Sequence, residues 1–156
     1  MIHDRSMTAT SEQAEYPVRI LISDWLLIDG TMDNHVQSAI DGAVPDSVPG
    51  WDVAAKRSAR KPPRVARLGN SIRQAGWDQI PGWPHDGEGF RTWPAPGQTA
   101  TMTLTGLQWK LVVFALNCWA DVDERMSDAE GAARSRAIAT AVGQRLAEQG
   151  WSPESP

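Results

Sequence analysis

The side chains best suited to chemistry near the start of the chain are Asp24, Asp29, Asp33 and His35, within or beside the stretch LISDWLLIDGTMDNHVQSAIDG from Leu21 to Gly42. Carboxylates and an imidazole are the donors of a metal site and the partners of general acid–base catalysis. To do either they must converge. If the stretch is helical, Asp29, Asp33 and Gln37 share a face by i,i+4 spacing, and His35 lies away from it. The group then reads as a solvated polar face opposite an apolar stripe, with no metal ligand and no catalytic residue assigned to it.

Nucleophilic chemistry has even less to build on. Cys118 is the single cysteine, which excludes an internal disulfide and any multi-cysteine zinc site. It sits between Asn117 and Trp119 on an apolar helical face, where an unactivated thiol behaves as a small hydrophobe. No Gly-x-Ser-x-Gly elbow, phosphate-binding glycine loop or His-Glu-x-x-His is present. The expectation is a protein that is not an enzyme and uses no cofactor.

Two other stretches carry binding chemistry. KRSARKPPRVARLGNSIR places Lys56, Arg57, Arg60, Lys61, Arg64, Arg67 and Arg73 together with no acid among them. The rest of the chain holds 19 acids against 8 bases, a net −11, so the molecule is electrically bipolar. The basic run could neutralise phosphates of a nucleic acid, with Asn70 and Gln74 available for base edges. It could equally answer acidic surface, in this chain or on a partner. The second stretch is GWDQIPGWPHDGEGFRTWPAP, with Trp77, Trp83, Phe90, Arg91 and Trp93. Trp and Arg are the residues that anchor protein interfaces. Trp77 is expected to fold inward, whereas Trp83 and Trp93 divide between an inward and an outward placement.

The elements that must position these residues follow from periodicity. Pro17 to Ile22 alternates Val18, Ile20 and Ile22 against Arg19 and reads as a strand. In the next segment, Asp29-Gly30 could turn a hairpin, but Thr-Met-Asp-Asn-His-Val is poor strand material. A helix fits better: with Ser23 as N-cap, Trp25, Ile28, Met32, Val36, Ala39 and Ile40 share a face, and Gly42 supplies a stop. The pattern recurs. Thr99 to Leu104 alternates like a strand, Thr105 and Gln108 have capping-box spacing, and Trp109 opens a helix to about Met126. Trp25, Ile28 and Met32 correspond to Trp109, Val112 and Leu116, through duplication or through convergence on a common pattern. A helix over 64–75 buries Val65, Leu68 and Ile72. A last one, capped at Ser127 and stopped by Gly150, pairs with its predecessor as an antiparallel hairpin. Asp121/Arg125 and Glu130/Arg134 are expected as exposed i,i+4 pairs.

The predicted fold is therefore α+β: two short strands, a Trp-opening helix after each, a C-terminal helix hairpin and a long Trp/Pro/Gly-rich loop. Residues 16–151 form one domain between flexible segments 1–15 and 152–156. Hydrophobic content of 41% and charged content of 22% argue against wholesale disorder. No apolar run reaches the roughly 20 residues of a membrane helix, so no membrane partner is expected and the location is read as cytoplasmic. Arg outnumbers Lys twelve to three, the bias of a GC-rich genome. The Thr-x-x-Gln-Trp opening resembles small accessory proteins of high-GC bacteria and their phages, over too few residues to carry a function across. The expected role is a small non-catalytic accessory or regulatory protein that binds a protein partner. Its contacts are Trp83, Phe90, Arg91 and Trp93 with the Arg-rich segment. Nucleic-acid binding through residues 56–73 is the alternative.

Overall fold

The computed structural model describes residues 12–49 and 62–151. It is α+β, with two antiparallel strands and four α-helices in the order β1 (Glu15–Leu21), α1 (Ile22–Ile40), α2 (Arg64–Gln79), β2 (Thr99–Thr105), α3 (Gly106–Arg125) and α4 (Ala129–Glu148). Glu15 stands opposite Thr105 and Leu21 opposite Thr99. Along both strands the alternation turns Val18 and Ile20, Met102 and Leu104 inward. Pro17, which cannot donate to a ladder, pairs with Thr103, whose own N–H and C=O point outward to the Gln79 side chain. That pair is therefore a non-hydrogen-bonded one, where a proline costs no ladder bond.

The stretch 22–40 is a helix, so the zigzag alternative is eliminated. Its start differs from expectation. Leu21, with extended backbone, is the N-cap and gives no side-chain cap, while Ser23 lies inside the first turn. The reason is that β1 runs straight into α1: Ile22 N–H donates to Gln98 O at 2.9 Å and so extends the sheet ladder into the helix. Ile22 thereby opens the helix instead of closing the strand. Trp25, Ile28, Met32, Val36 and Ala39 are buried as the spacing requires, but Ile40, at the last turn, is 49% exposed. Gly42 adopts φ +79°, the left-handed stop.

At α3 the capping box is present in full: Thr105 Oγ1 accepts from Gln108 N–H at 3.2 Å, and Gln108 Oε1 accepts from Thr105 N–H at 2.9 Å. At α4 the cap moves by one residue. Ser127 takes φ +64° to end the preceding helix, and Asp128 Oδ1 accepts from Gly131 N–H at 3.0 Å. The helix hairpin forms, but the expected i,i+4 pairs do not hold it. Arg136 reaches across the hairpin to Asp121 and Glu124 at 2.8 and 2.7 Å, and Arg134 turns to Asp24 at 3.6 Å. An acid on the facing helix competes successfully with one on the same helix because the two helices lie side by side. The middle helix continues past residue 75 to Gln79, since Gly76 sits inside it against Trp25.

The recurrence seen in the sequence extends further in three dimensions. Each strand is followed by a pair of antiparallel helices, α1 with α2 and α3 with α4. Trp25 and Trp109 both lie four residues after an N-cap and both are fully buried. At the end of each second helix a glutamine clamps a strand: Gln79 bonds Thr103 on β2, and Gln149 donates to Pro17 O on β1 at 2.7 Å. The step that carries Trp25 to Trp109 also carries Val18 to Met102, its own cross-strand partner, so the two βαα units are related by a pseudo-two-fold through that pair. Apolar side chains from both strands and all four helices merge in one core.

Candidate functional site

Ile80 is buried at the C-cap of α2, and from there the chain runs through residues 81–98 to β2. Within it a short 3₁₀ turn, Gly87–Arg91, starts at Asp86, whose Oδ1 accepts from Gly89 N–H at 3.0 Å. Trp83 and Trp93 are half-buried, pack against the core and meet each other at a ring separation of 5.1 Å. Trp83 is also tied down by Nε1–H donation to Gly76 O at 3.2 Å. The even division between inward and outward placement therefore resolves into both at once: one side of each indole packs, the other stays accessible. Phe90 stands edge-on to Trp93 at 5.8 Å and is 44% exposed. Arg91, at the end of the same turn, is exposed. Four of the residues picked from the sequence are thus brought together on one ordered loop.

Trp77 corrects the expectation. It is 47% exposed on the outer face of α2, with the Arg73 guanidinium over its ring at 5.2 Å. Its neighbour Gly76 takes the inward position, because Trp25 fills the space beneath it. With the helix expected to end at residue 75, Trp77 counts as part of the loop, whose rings fold onto the core. The phase of the helix, set by Val65, Gly69, Ile72 and Gly76, points Trp77 outward.

The basic segment is dispersed in role. Lys56, Arg57, Arg60 and Lys61 lie outside the described residues. Arg64 is half-buried at the start of α2, and Arg67 is exposed one turn on. Arg73 answers the chain's own acids, with Nε donating to Asp29 at 3.1 Å and Nη1 to Asp33 at 3.0 Å. Those two aspartates are thus an inter-helix clasp between α1 and α2, not a freely solvated face.

His35 departs further from the sequence reading. It is 2% exposed, edge-on to Phe114 at 6.2 Å, and its Nδ1 accepts from Trp119 Nε1–H at 3.1 Å. The neutral ring therefore carries its proton on Nε2, a buried atom with no hydrogen-bond partner among the described residues. Burial lowers its pKa from the usual histidine value. The signal was in the spacing: His35 follows Ile28 by seven residues and Met32 by three, on the edge of the apolar stripe. Cys118 is half-buried, and burial together with the Asp121 carboxylate pushes its thiol up, away from the reactive thiolate. Among the described residues no three His, Cys, Asp or Glu side chains lie together as a metal-binding group, and no helix is long and apolar enough to cross a membrane. The chain matches no protein-family model, no curated protein and no solved structure.

Proposed function

We propose that this is a small non-catalytic accessory or regulatory protein of a high-GC bacterium or its phage, which docks on a protein partner through the loop bearing Trp83, Phe90, Arg91 and Trp93. The observation that carries the reading is the mounting of Phe90. Its ring is exposed, yet it stands on an indole pair packed against the core and tied to α2. An aromatic held in place before binding loses little conformational freedom on docking, which is how interface anchors gain affinity. The adjacent Arg91 supplies a cation at the rim.

Photo-crosslinking from position 90 in the native host tests this. A benzophenone side chain there is expected to give one dominant protein adduct that is lost with Arg91→Glu, while the same group at Gln144, exposed on α4, gives none. Absence of an adduct at 90 would remove the reading. Adducts to nucleic acid, with affinity falling steeply as salt rises, would transfer the function to residues 56–73.

A further inference from the structure

The two outer edges of the sheet are treated differently. Antiparallel alternation places the N–H and C=O of Thr101 and Thr103 outward on β2, and by register those of Arg19, with the Leu21 N–H, outward on β1. On β2 the edge is closed at Thr103, while at Thr101 it stays open among the described residues. Gln79 makes two bonds to Thr103, and Gln108 Nε2 donates to Ser71 Oγ at 3.1 Å, joining the start of α3 to α2. The pseudo-two-fold maps Gln108 and Ser71 onto Asp24 and Ala141, which cannot make that bond because the Asp24 carboxylate has no donor and Ala141 no side-chain acceptor. Asp24 instead pairs with Arg134. There the structure opens into a groove of about 380 Å³ between β1 and α4, within the size range of binding sites.

Its lining is mixed. Ile138 and Val142, 5% and 2% exposed, give a narrow apolar floor, Arg19 and Arg145 contribute cations, and Asp24 is the one carboxylate of the lining, held by Arg134. Arg19 donates to Thr99 Oγ1 at 3.1 Å, and neither arginine has a carboxylate partner among the described residues. An uncovered strand edge is a template for another strand. Pro17, with no N–H and its carbonyl taken by Gln149, limits that template to the Arg19–Leu21 end.

We propose that the β1 edge and this groove bind an extended polypeptide segment of a partner, which adds as a third strand and carries acidic side chains toward Arg19 and Arg145. Alternation divides its side chains between two faces: on the α4 side aliphatic residues meet Ile138 and Val142 and an acid meets Arg145, and on the opposite, solvent face an acid lies beside Arg19. This surface is separate from the aromatic loop and stands without it.

Random heptapeptides displayed on phage, selected on the full chain and counter-selected on the Arg19→Glu/Arg145→Glu variant, provide the probe. The survivors are expected to alternate aliphatic with acidic residues. A synthetic copy of the dominant survivor should slow hydrogen exchange at the Arg19 and Leu21 amides, lose about tenfold in affinity on Arg145→Gln through a missing charge-assisted contact, and bind Phe90→Ala unchanged. The proposal is overturned if nothing survives counter-selection, if protection appears elsewhere, or if methylating alternate peptide nitrogens leaves affinity intact. Concentration-dependent protection of Arg19 without peptide would assign the edge to a second copy and overturn it as well.

Discussion

Four glycines inside helices make an internally controlled test of the packing, and Gly76 is the most informative. A Cβ built there would lie 2.7 Å from Trp25 Cε2 and 2.9 Å from Cζ2, with Nε1 closer still. Carbon atoms prefer about 3.5 to 4.0 Å. The indole has nowhere to go, since Trp25 is fully buried between both strands' core residues and α2. Overpacking of this kind costs about 1 to 3 kcal/mol, and an enclosed ring belongs at the upper end. Alanine returns about 1 kcal/mol in helix propensity, so Gly76→Ala should lose about 2 kcal/mol net. For a chain of this size each kcal/mol moves Tm by about 2 to 4 °C. Gly30 and Gly143 have nothing within 4 Å of a built Cβ, so alanine there should gain stability, up to about 1 kcal/mol each. Gly69 meets the Val36 methyl and should follow Gly76 in sign. Thermal and urea unfolding of the four variants measures this directly. In a Trp25→Phe background the Gly76→Ala penalty should shrink, because the clashing indole ring system is gone. A Gly76→Ala protein as stable as Gly30→Ala would refute the close packing of α1 on α2.

Two further outcomes follow from the polar contacts. Burial lowers the His35 pKa, so as pH falls below the unfolded value near 6.5 the unfolded chain takes up a proton that the folded one resists. Stability should therefore be complete above that value and fall as pH drops through it toward the folded pKa, by at most about 1.4 kcal/mol per pH unit from this group. Urea midpoints from pH 8 to 5 would show it, and a slope unchanged in His35→Gln would contradict it. Thr105→Ala removes the acceptor for Gln108 N–H and should cost about 1 kcal/mol. Thr105→Ser should keep most of that, and equal losses in the two would mean that the cap contributes nothing.

How much of this was legible depended on how local the cause is. The capping box at Thr105 and Gln108, the helix phase from Trp25 to Ala39 and the stop at Gly42 are written within a turn or two of chain, and the structure has all three. The start of α1 was not readable, because its first N–H is answered by Gln98, far away in sequence. For the same reason Arg136 rather than Arg125 takes Asp121, and Arg73 rather than water takes Asp29. Side chains choose partners across elements whose juxtaposition no local pattern encodes. Trp77 failed for a different reason: Gly76 reads as the end of the helix, so helical phase is not carried on to residue 77. The groove beside β1 was also out of reach, since its defining feature is a bond that Asp24 and Ala141 cannot make.

The pseudo-symmetric frame separates what stability requires from what it does not. A buried Trp after each cap and a glutamine clamp on each strand recur because each βαα unit needs them to cover its half of the sheet. Residues that break the correspondence have no such origin. Trp83 and Trp93 still help to cover the core, and truncating either should cost more stability than truncating Phe90, which covers none of it. Half-exposed Phe90 and Arg145, which has no carboxylate partner among the described residues, are both absent from the shared framework and both turned toward solvent. A ring set against an indole that is itself packed on the core, and a cation beside an open stretch of strand edge, are arrangements that lower the cost of ordering on contact with another chain. The two sites need not serve one partner, and variants at one that leave the other's binding intact would establish that they act separately.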